Sequence, residues 1–336
     1  MAGIKEKYLQ LKTKVETVVN EPQFDNEKSR AVTIAKKLIF GIFKIVILVG
    51  ICYVVLSPVI GMVSHSFFSD ADVYNPMVYI IPQNPTMDKM SMSYKTLDYL
   101  PHVSTALVFD LSLLLIQLII CSMVGYGFAR FKFPGKNFLF ACVVIMIVLP
   151  LNSIMLPLYM TFRNFPIPFP VISATGVKFT KNLLTTPWPM YIMTIFGCGL
   201  RSGLFIYIFN QFFRGLPKEI EEAAFVDGAS MWYTYSRIML VNSMPAVITV
   251  AVFSMVWQYN DMFYTKLFIL SDKISMGKNI GGLTSTIANA EQITNPAILQ
   301  LYLDAGIVLV ILPVIILYVI LQSRFIEGVE RSGIVG

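Results

Sequence analysis

Six separated apolar runs, each about 20 residues or longer, constrain this chain of 336 residues more than any other feature. They lie at about 38–60, 103–128, 138–160, 188–213, 238–260 and 301–321. Runs of this length span a bilayer, and helix is the default because backbone polar groups in lipid must pair internally. Charged residues make up 14% of the chain, against roughly 25% in soluble domains. The sequence therefore predicts an all-α polytopic membrane protein and excludes soluble enzymes, disulfide scaffolds and disordered tails.

The distribution of basic residues predicts the orientation of these runs. If the N-terminus is cytoplasmic, sixteen Lys and Arg residues fall in the inner segments 1–37, 129–137, 214–237 and 322–336. Eight fall in the outer segments, whose combined length is greater: 61–102, 161–187 and 261–300. Basic residues concentrate on the cytoplasmic side of membrane proteins. We therefore predict a cytoplasmic segment 1–37 and a domain 38–336 of six transmembrane helices, with both termini inside.

Several chemistries lack the residues that they need. The four cysteines lie inside apolar runs without a CxxC pair, and His65 and His102 form no local metal motif. No phosphate-binding P-loop, G-x-S-x-G elbow, HExxH or GxGxxG sequence is present. The net charge of +6 is attributed to basic cytoplasmic loops and not to nucleic-acid binding. We therefore predict no catalytic residue, no metal site and no nucleic-acid partner. If this protein does energy-driven work, the energy must come from an ion gradient or from ATP bound by a partner protein.

The segment between the fourth and fifth runs has the features of a short cytoplasmic helix. Pro217 suits the first turn, three acidic residues in that turn complement the helix dipole, and Gly228 suits a left-handed end. Two adjacent alanines leave one face almost bare, so another surface can approach closely. These features alone leave open both an ordinary connecting helix and a docking helix.

The spacing of residues in this segment resembles a family signature. E-A-A, three residues, G, nine residues and I-x-L at 222–240 resemble the signature of permease subunits of ATP-binding-cassette importers. D-G-A-S at 227–230 is similar to the form found in the carbohydrate branch, the maltose and oligosaccharide permeases. Further similarity extends from about residue 103 to the end of the chain, at 126–136, 211–213, 260–261 and 322–328.

This resemblance implies a multi-pass subunit of a prokaryotic cytoplasmic-membrane importer that moves a sugar, an oligosaccharide, by alternating access. The implied partners are a second homologous permease, two cytoplasmic ATPase subunits, an extracellular solute-binding protein and the surrounding lipid. ATP and Mg²⁺ are then held by the ATPases, and this chain binds no cofactor and has no ATPase site. The short helix becomes a coupling helix seated on one ATPase, through Glu221, Glu222, Ala223, Ala224, Asp227 and Gly228.

Polar and aromatic residues inside the runs are candidates for a substrate pathway. A charge such as Arg201 is costly at membrane depth, and amides beside aromatic rings suit the hydroxyls and CH faces of a sugar. Other interpretations stay open: Arg201 pairs with Asp110 or Asp304, or it reaches the outer interface at a kink, while the amides join helices. The candidate pathway residues are Asn152, Arg201, Trp257, Gln258 and Asn260.

Two other classes of protein were weighed against the importer. An ion-coupled secondary transporter is the alternative, supported only by the intramembrane acids Asp110 and Asp304. A membrane scaffold or intramembrane enzyme has no catalytic constellation in this sequence.

Departures from the family and the prolines predict local geometry. Val241 stands where the family usually has proline, which predicts a straighter entry to the fifth helix, and Asn210 stands where arginine is common. Helix kinks are predicted at the prolines inside the runs: Pro58, Pro150, Pro157, Pro189, Pro245 and Pro313.

Overall fold

A computed structural model describes residues 23–173, 176–268, 270 and 274–333 of the chain. Residues 1–22 of the predicted cytoplasmic segment 1–37 lie outside the described residues. The chain divides into two units, Met1–Gly61 and Met62–Gly336. Helix α1, Gln23–His65, supplies the described part of the first unit and ends in the second. Its large apolar side chains between Ile34 and Val63 are exposed, as expected for a surface that faces lipid.

The second unit continues with helices and one pair of strands. Its helices are α2 Asp70–Val73, α3 Asp88–Thr96, α4 Tyr99–Arg130, α5 Lys136–Val148, α6 Leu151–Arg163, α7 Trp188–Ile195, α8 Ser202–Gly215, α9 Glu219–Val226, α10 Met231–Asn242, α11 Met244–Tyr259, α12 Phe263–Leu267, α13 Met276–Ile280, α14 Leu283–Glu291 and α15 Pro296–Gly333. The strands are β1 Phe165–Ser173 and β2 Gly176–Lys181.

Three described helices are long and apolar enough to cross a membrane: Lys36–His65, Tyr99–Arg130 and Pro296–Ile320. Two bent pairs, α5 with α6 and α10 with α11, bring the number to as many as five if each pair is one span. The predicted fourth run, 188–213, is not one helix, because residues 196–201 separate α7 from α8. The chain is therefore mostly helical, with several of its apolar runs broken.

Proline positions explain the two sharp bends but do not kink every helix. α5 and α6 meet at 105° around Pro150, and α10 and α11 meet at 77° at Ser243, just before Pro245. Proline lacks an N–H and its ring clashes with the preceding turn, so a helix breaks there readily. The straighter entry predicted from Val241 is therefore wrong. Pro58, Pro157 and Pro313 lie inside helices that continue past them.

The prediction of an all-α fold is wrong for the segment 165–181, which contains a pair of strands. β1 and β2 form an antiparallel pair, with Phe165 opposite Lys181 and Ser173 opposite Gly176. The register shifts between Pro166 and Val171. Three prolines alternate with apolar residues in β1, and proline disfavours a helix while tolerating extended backbone at a bulge or edge.

Helix α4 lies at the centre of the buried core of the second unit. Its Gly125 allows close approach to α8, because a Cβ atom there would lie 2.6 Å from the Cβ of Phe209. Phe205, Phe209 and Phe213 on α8 are fully buried at the same interface. The apolar face of α8 is thus held against α4, which fixes the position of the loop that follows it.

The last residue of α1 and residues that follow it are joined to the first turns of α15 by polar contacts. His65 Nδ1 lies 3.0 Å from Asp304 Oδ2, and Ser93 donates a hydrogen bond to the Tyr302 carbonyl. The buried Lys89 ammonium lies 2.5 Å from Asp70 Oδ1 and donates to the Tyr302 hydroxyl. Burial acts to lower the pKa of Lys89, but the hydrogen bonds to Asp70 and Tyr302 outweigh it and raise the pKa above its ordinary value.

Candidate functional site

The segment with the family signature forms a short helix with a defined beginning and end. Helix α9 begins after Lys218, and its first turn carries Glu219, Glu221 and Glu222, where negative charge is favourable. It ends at Val226, and Gly228, two residues later, has a φ of 80° in the left-handed region. The Ala229 N–H donates to the Ala224 carbonyl at 2.9 Å, which closes the C-terminus. The local sequence therefore determines both ends of this helix.

A buried ion pair joins α9 to the end of α4. Arg130 Nε lies 3.1 Å from Glu221 Oε2, and the two side chains are only 7% and 10% exposed. The same guanidinium donates to the Leu216 carbonyl at 2.8 Å, and the Tyr126 hydroxyl contacts the Glu221 carboxylate. Arg130 is the last residue of α4. The ion pair therefore connects α9 to the last residue of this central helix.

The six predicted coupling residues divide into two groups. Glu221 and Ala224 are buried against the chain itself, so they are unavailable to a partner. The other four are exposed: Glu222, Ala223, Asp227 and Gly228. A Cβ atom added at Gly228 meets nothing within 4 Å, so this corner is open. The exposed four thus form one polar, small-residue surface at the end of α9.

Sequence reasoning missed the apolar part of this surface. Phe225 and Val226 are 45% and 87% exposed at the end of α9, and Trp232 is 62% exposed shortly after it. Large apolar side chains exposed beside charged ones are typical of a protein interface. The signal was available, because the Phe-Val pair stands among acidic residues in the predicted cytoplasmic helix. We define Glu222, Ala223, Phe225, Val226, Asp227 and Gly228 as the α9 surface.

A second polar arrangement joins three helices inside the second unit. The Gln117 Oε1 atom accepts hydrogen bonds from Ser254 at 2.6 Å and from Gln258 at 2.9 Å. Its Nε2 donates to the Leu200 carbonyl at 2.7 Å and to Ser202 at 2.9 Å. Buried amides gain stability only when their groups are paired, and Gln117 pairs all of them. This network links α4, α11 and the break before α8.

The predicted pathway residues do not come together at one place. Gln258 is buried in the Gln117 network, and the Asn260 amide donates to the Val256 carbonyl of its own helix. Asn152 is exposed on α6, just after the bend at Pro150. Arg201 and Trp257 do meet, with the guanidinium carbon 5.6 Å from the ring centroid. Of the predicted pathway residues, Arg201 thus lies over the Trp257 ring, and Gln258 joins two helices through its hydrogen bond to Gln117.

Arg201 lies at the break in the fourth run. Its backbone is left-handed, with φ 58° and ψ 16°, and α8 begins at the next residue. Pairing with Asp110 or Asp304 is not observed, and the Asp304 carboxylate instead contacts His65 and Gln300. In the part of the chain that the structure describes, no carboxylate oxygen lies within 4.0 Å of the Arg201 guanidinium.

A cavity of about 530 Å³ lies beside this break, between the bend of α5 and α6 and the start of α8. Its lining is mainly aliphatic and includes Met146, Leu151 and Ile154. Polar groups are contributed by Arg201, Ser202, Thr161 and Tyr264. Ligand cavities typically combine apolar walls with a few polar groups in this way. Among the described residues, no group of three or more His, Cys, Asp or Glu side chains is placed to hold a metal ion.

Apolar helices long enough to cross a membrane, together with two sharply bent helix pairs, are typical of integral membrane transport proteins. The family of binding-protein-dependent transport system inner membrane components matches residues 118–331, which is more than half of the chain. The chain belongs to this family, so the permease resemblance predicted from the 222–240 segment is confirmed. The family comprises transport subunits rather than catalytic ones.

Individual relatives agree with this assignment. The chain is 26% identical over 279 residues to a putative ABC transporter permease, ORF2 of Caldicellulosiruptor, covering 83% of this chain and 91% of that protein. It is 23% identical over 290 residues to the arabinooligosaccharides transport system permease AraQ of Halalkalibacterium halodurans, covering 85% and 93%. A solved bacterial ABC transporter involved in import of the acidic polysaccharide alginate shares the fold, with a TM-score of 0.69 at 19% identity, covering 86% of this chain and 98% of that one.

Proposed function

We propose that this chain is a membrane-spanning permease subunit of an ATP-driven importer for a saccharide, most simply an oligosaccharide. Family membership supports the permease role, and the names of relatives such as AraQ support the saccharide. One structural observation carries the mechanism: α9 exposes one surface while its other side is joined to α4 through Arg130 and Glu221. A helix of this kind can receive a force outside the membrane and transmit it to a membrane helix.

The proposed partner of the α9 surface is a cytoplasmic ATPase subunit. Glu222 supplies a charge for a basic residue, Phe225 and Val226 supply apolar contact, and the bare Gly228 corner permits close approach. Closure of the ATPase pair on ATP moves α9, and α4 follows because the buried ion pair resists separation. A ligand shifts a conformational equilibrium only through different contacts in the two states, and this moving interface supplies that difference.

The proposed assembly contains a second homologous permease, two ATPase subunits and an extracellular solute-binding protein. ATP and Mg²⁺ belong to the ATPases, and this chain supplies no ligand to them. Six spans, with both termini in the cytoplasm, follow if α7 and α8 are the two halves of one discontinuous span. Discontinuous helices are common where membrane transporters enclose a substrate path.

Orientation is tested by labelling single cysteines in a background without Cys52, Cys121, Cys142 and Cys198. Lys95 and Lys132 are both exposed, and they lie in predicted outer and inner segments. An impermeant maleimide on intact cells with an accessible envelope should label position 95 and spare position 132 until the cells are lysed. Labelling of position 132 alone on intact cells would reverse the proposed topology.

The docking role is tested by two substitutions on the α9 surface, Glu222→Lys and Val226→Asp. We expect each to reduce co-purification of the ATPase subunits at least tenfold and to reduce saccharide uptake equally, at matched expression. Gly228→Val should do the same by filling the open corner and straining the backbone. The matched control is Glu291→Lys, an exposed charge reversal on α14, which should change neither quantity.

Normal ATPase recovery and uptake in all three α9 variants would make this helix an ordinary connector. Uptake that persists after ATP depletion would instead favour the ion-coupled transporter. The purified chain alone in liposomes should show neither ATP hydrolysis nor saccharide flux.

A further inference from the structure

In the proposed topology, the break between α7 and α8 places Arg201 within the thickness of the membrane. Helix α8 has 14 residues from Ser202 to Gly215, so Arg201 lies about 21 Å above the end that leads to α9. Gln117 binds the Leu200 carbonyl and lies thirteen residues before Arg130, which gives about 20 Å along α4. The heights measured along α8 and along α4 agree, and both are smaller than the thickness of a hydrocarbon core, about 30 Å.

Arg201 keeps its hydrogen-bonding edge free of acids. Among the described residues no carboxylate lies within 4.0 Å of it; Asp304 contacts His65, and Asp261 accepts from the Thr265 N–H at 3.1 Å. The observed partner of the guanidinium is the face of Trp257, and that ring itself stacks on Phe205 and Phe253. A stacked guanidinium still presents its N–H groups in the plane, where they can bind a carboxylate in a bidentate manner. The aromatic stack therefore orients the cation without consuming its donors.

The surroundings favour an anion rather than a neutral group. Arg201 is the one charged side chain among the described residues that line the 530 Å³ cavity. It directly precedes α8, whose N-terminus adds partial positive charge at the same place. In discontinuous membrane helices, such N-termini point toward anionic groups of the substrate. Ser202, Thr161 and Tyr264 contribute further polar side chains among the described residues that line the cavity.

We propose that Arg201 is a specificity residue that makes this permease prefer saccharides bearing carboxylates, of the uronic acid type, over neutral ones. The inference rests on the proposed import function and adds to it a substrate class and a residue. Trp257 acts as a positioning residue, because its ring centroid lies 5.6 Å from the guanidinium carbon of Arg201, which lines the cavity.

The test compares two probes with the same sugar backbone: trigalacturonate, which carries carboxylates, and its fully methyl-esterified form, in which each carboxylate is a neutral methyl ester. Uptake is measured at saturating probe in cells that express the whole importer, with the wild-type chain or with Arg201→Lys, Arg201→Gln or Arg201→Glu. We expect the wild type to prefer the acid, Arg201→Gln to lower the acid-to-ester ratio at least tenfold, and Arg201→Glu to lower it further. Arg201→Lys should retain part of the preference. Lys266→Gln, which removes an exposed cation on α12, is the matched control and should leave the ratio unchanged.

A second measurement does not depend on transport. In the full chain with Trp188→Phe and Trp232→Phe, reconstituted in nanodiscs, fluorescence reports on Trp257. Trigalacturonate should change this fluorescence with saturation, the methyl ester should not, and Arg201→Gln should abolish the response. Equal responses to the two probes, or an unchanged response in Arg201→Gln, would overturn the proposal.

The outcomes separate the two levels of inference. ATP-dependent uptake of neutral saccharides without any preference for acid leaves the importer intact and overturns the role of Arg201. A fall in uptake of both probes by the same factor in Arg201→Gln would show that the guanidinium does not distinguish acid from ester, which also overturns the proposal. A third outcome is that cells with the wild-type chain take up no saccharide, while Trp257 fluorescence responds to trigalacturonate and not to the ester. In that case the proposed import function is wrong and the proposed anion site at Arg201 is supported.

Discussion

Arg130 and Arg201 are two arginines at the ends of membrane helices with opposite surroundings. Arg130 is buried, lies 3.1 Å from Glu221 and donates to the Leu216 carbonyl. Arg201 is exposed, rests on Trp257 and has no acid within 4.0 Å among the residues that the structure describes. A buried charge without a partner is strongly destabilising, so the first cation requires its carboxylate. The second is free to bind a group that the chain does not contain.

The difference separates a mechanical role from a recognition role. Arg130 pairs with a carboxylate of the same chain and so joins two helices, and its removal should lower the stability of the protein. Arg201 instead contacts the face of Trp257, and its removal should lower the preference for acidic over neutral saccharides. The predictions below test this distinction through thermal unfolding of the detergent-purified protein, in order of decreasing effect.

The largest effect is expected for Arg130→Ala. Removing one member of a buried ion pair leaves Glu221 unpaired and should destabilise the protein by about 3 to 5 kcal/mol. The unfolding midpoint, followed by intrinsic fluorescence, should fall sharply. Arg214→Ala removes an exposed arginine nearby and is the control. The double variant Arg130→Leu with Glu221→Leu should recover much of the loss, because it removes both charges. Equal midpoints for Arg130→Ala and Arg214→Ala would contradict a buried, structural pair.

The second-largest effect on stability is expected for Gln117→Leu. This substitution tests the hydrogen-bonded Gln117 amide, which lies on α4 between the regions of Arg130 and Arg201. The substitution leaves Ser254, Gln258 and the Leu200 carbonyl without their shared partner and should cost about 2 kcal/mol. Gln211→Leu, at an exposed position on α8, is the matched control and should be nearly neutral. An unchanged unfolding midpoint in Gln117→Leu would show that Ser254, Gln258 and the Leu200 carbonyl find other hydrogen-bond partners.

A smaller effect is expected for Gly228→Ala at the end of α9. The φ of 80° disfavours any side chain and should cost about 1 kcal/mol, although the space around the Cβ position is empty. Gly215→Ala, in helix α8 and also without neighbours near its Cβ position, should instead stabilise by about 0.5 kcal/mol. The two alanine variants should therefore shift the unfolding midpoint in opposite directions. A shift in the same direction would argue against a left-handed Gly228.

The smallest effect on stability is expected for Arg201→Gln. An exposed side chain outside any paired network usually changes stability by less than about 0.5 kcal/mol. The unfolding midpoint should match that of the wild type even though the acid-to-ester uptake ratio falls. A midpoint lowered as far as that of Arg130→Ala would make Arg201 a structural residue and remove the contrast.

The coupling segment shows how far sequence reasoning reaches. The short helix before the fifth apolar run and its glycine end follow from local preferences that act over a single turn. Which side of that helix is exposed does not follow from them. Glu221 and Glu222 are adjacent and chemically equal, yet only Glu222 is exposed, because Arg130 from α4 lies against the other side.

Gln258 shows the same limit inside the membrane. Its amide suits a sugar as well as a neighbouring helix, and only the position of Gln117 on α4, 141 residues earlier, decides between them. The antiparallel strands at 165–181 were missed for a different reason. Hydropathy identifies runs that cross lipid, but it carries no information on how an outer connection pairs with itself.

The sequence by itself determined that this chain lies in a membrane, where most of its helices run and where the family signature stands. These properties depend on apolar length, on charge and on local backbone preference, which are all written in short stretches of the chain. Only the tertiary structure decided which polar groups meet across distant helices. The Arg130–Glu221 pair, the Gln117 network and the Arg201–Trp257 stack depend on packing between helices, and packing is a property of the folded surface and not of any one segment.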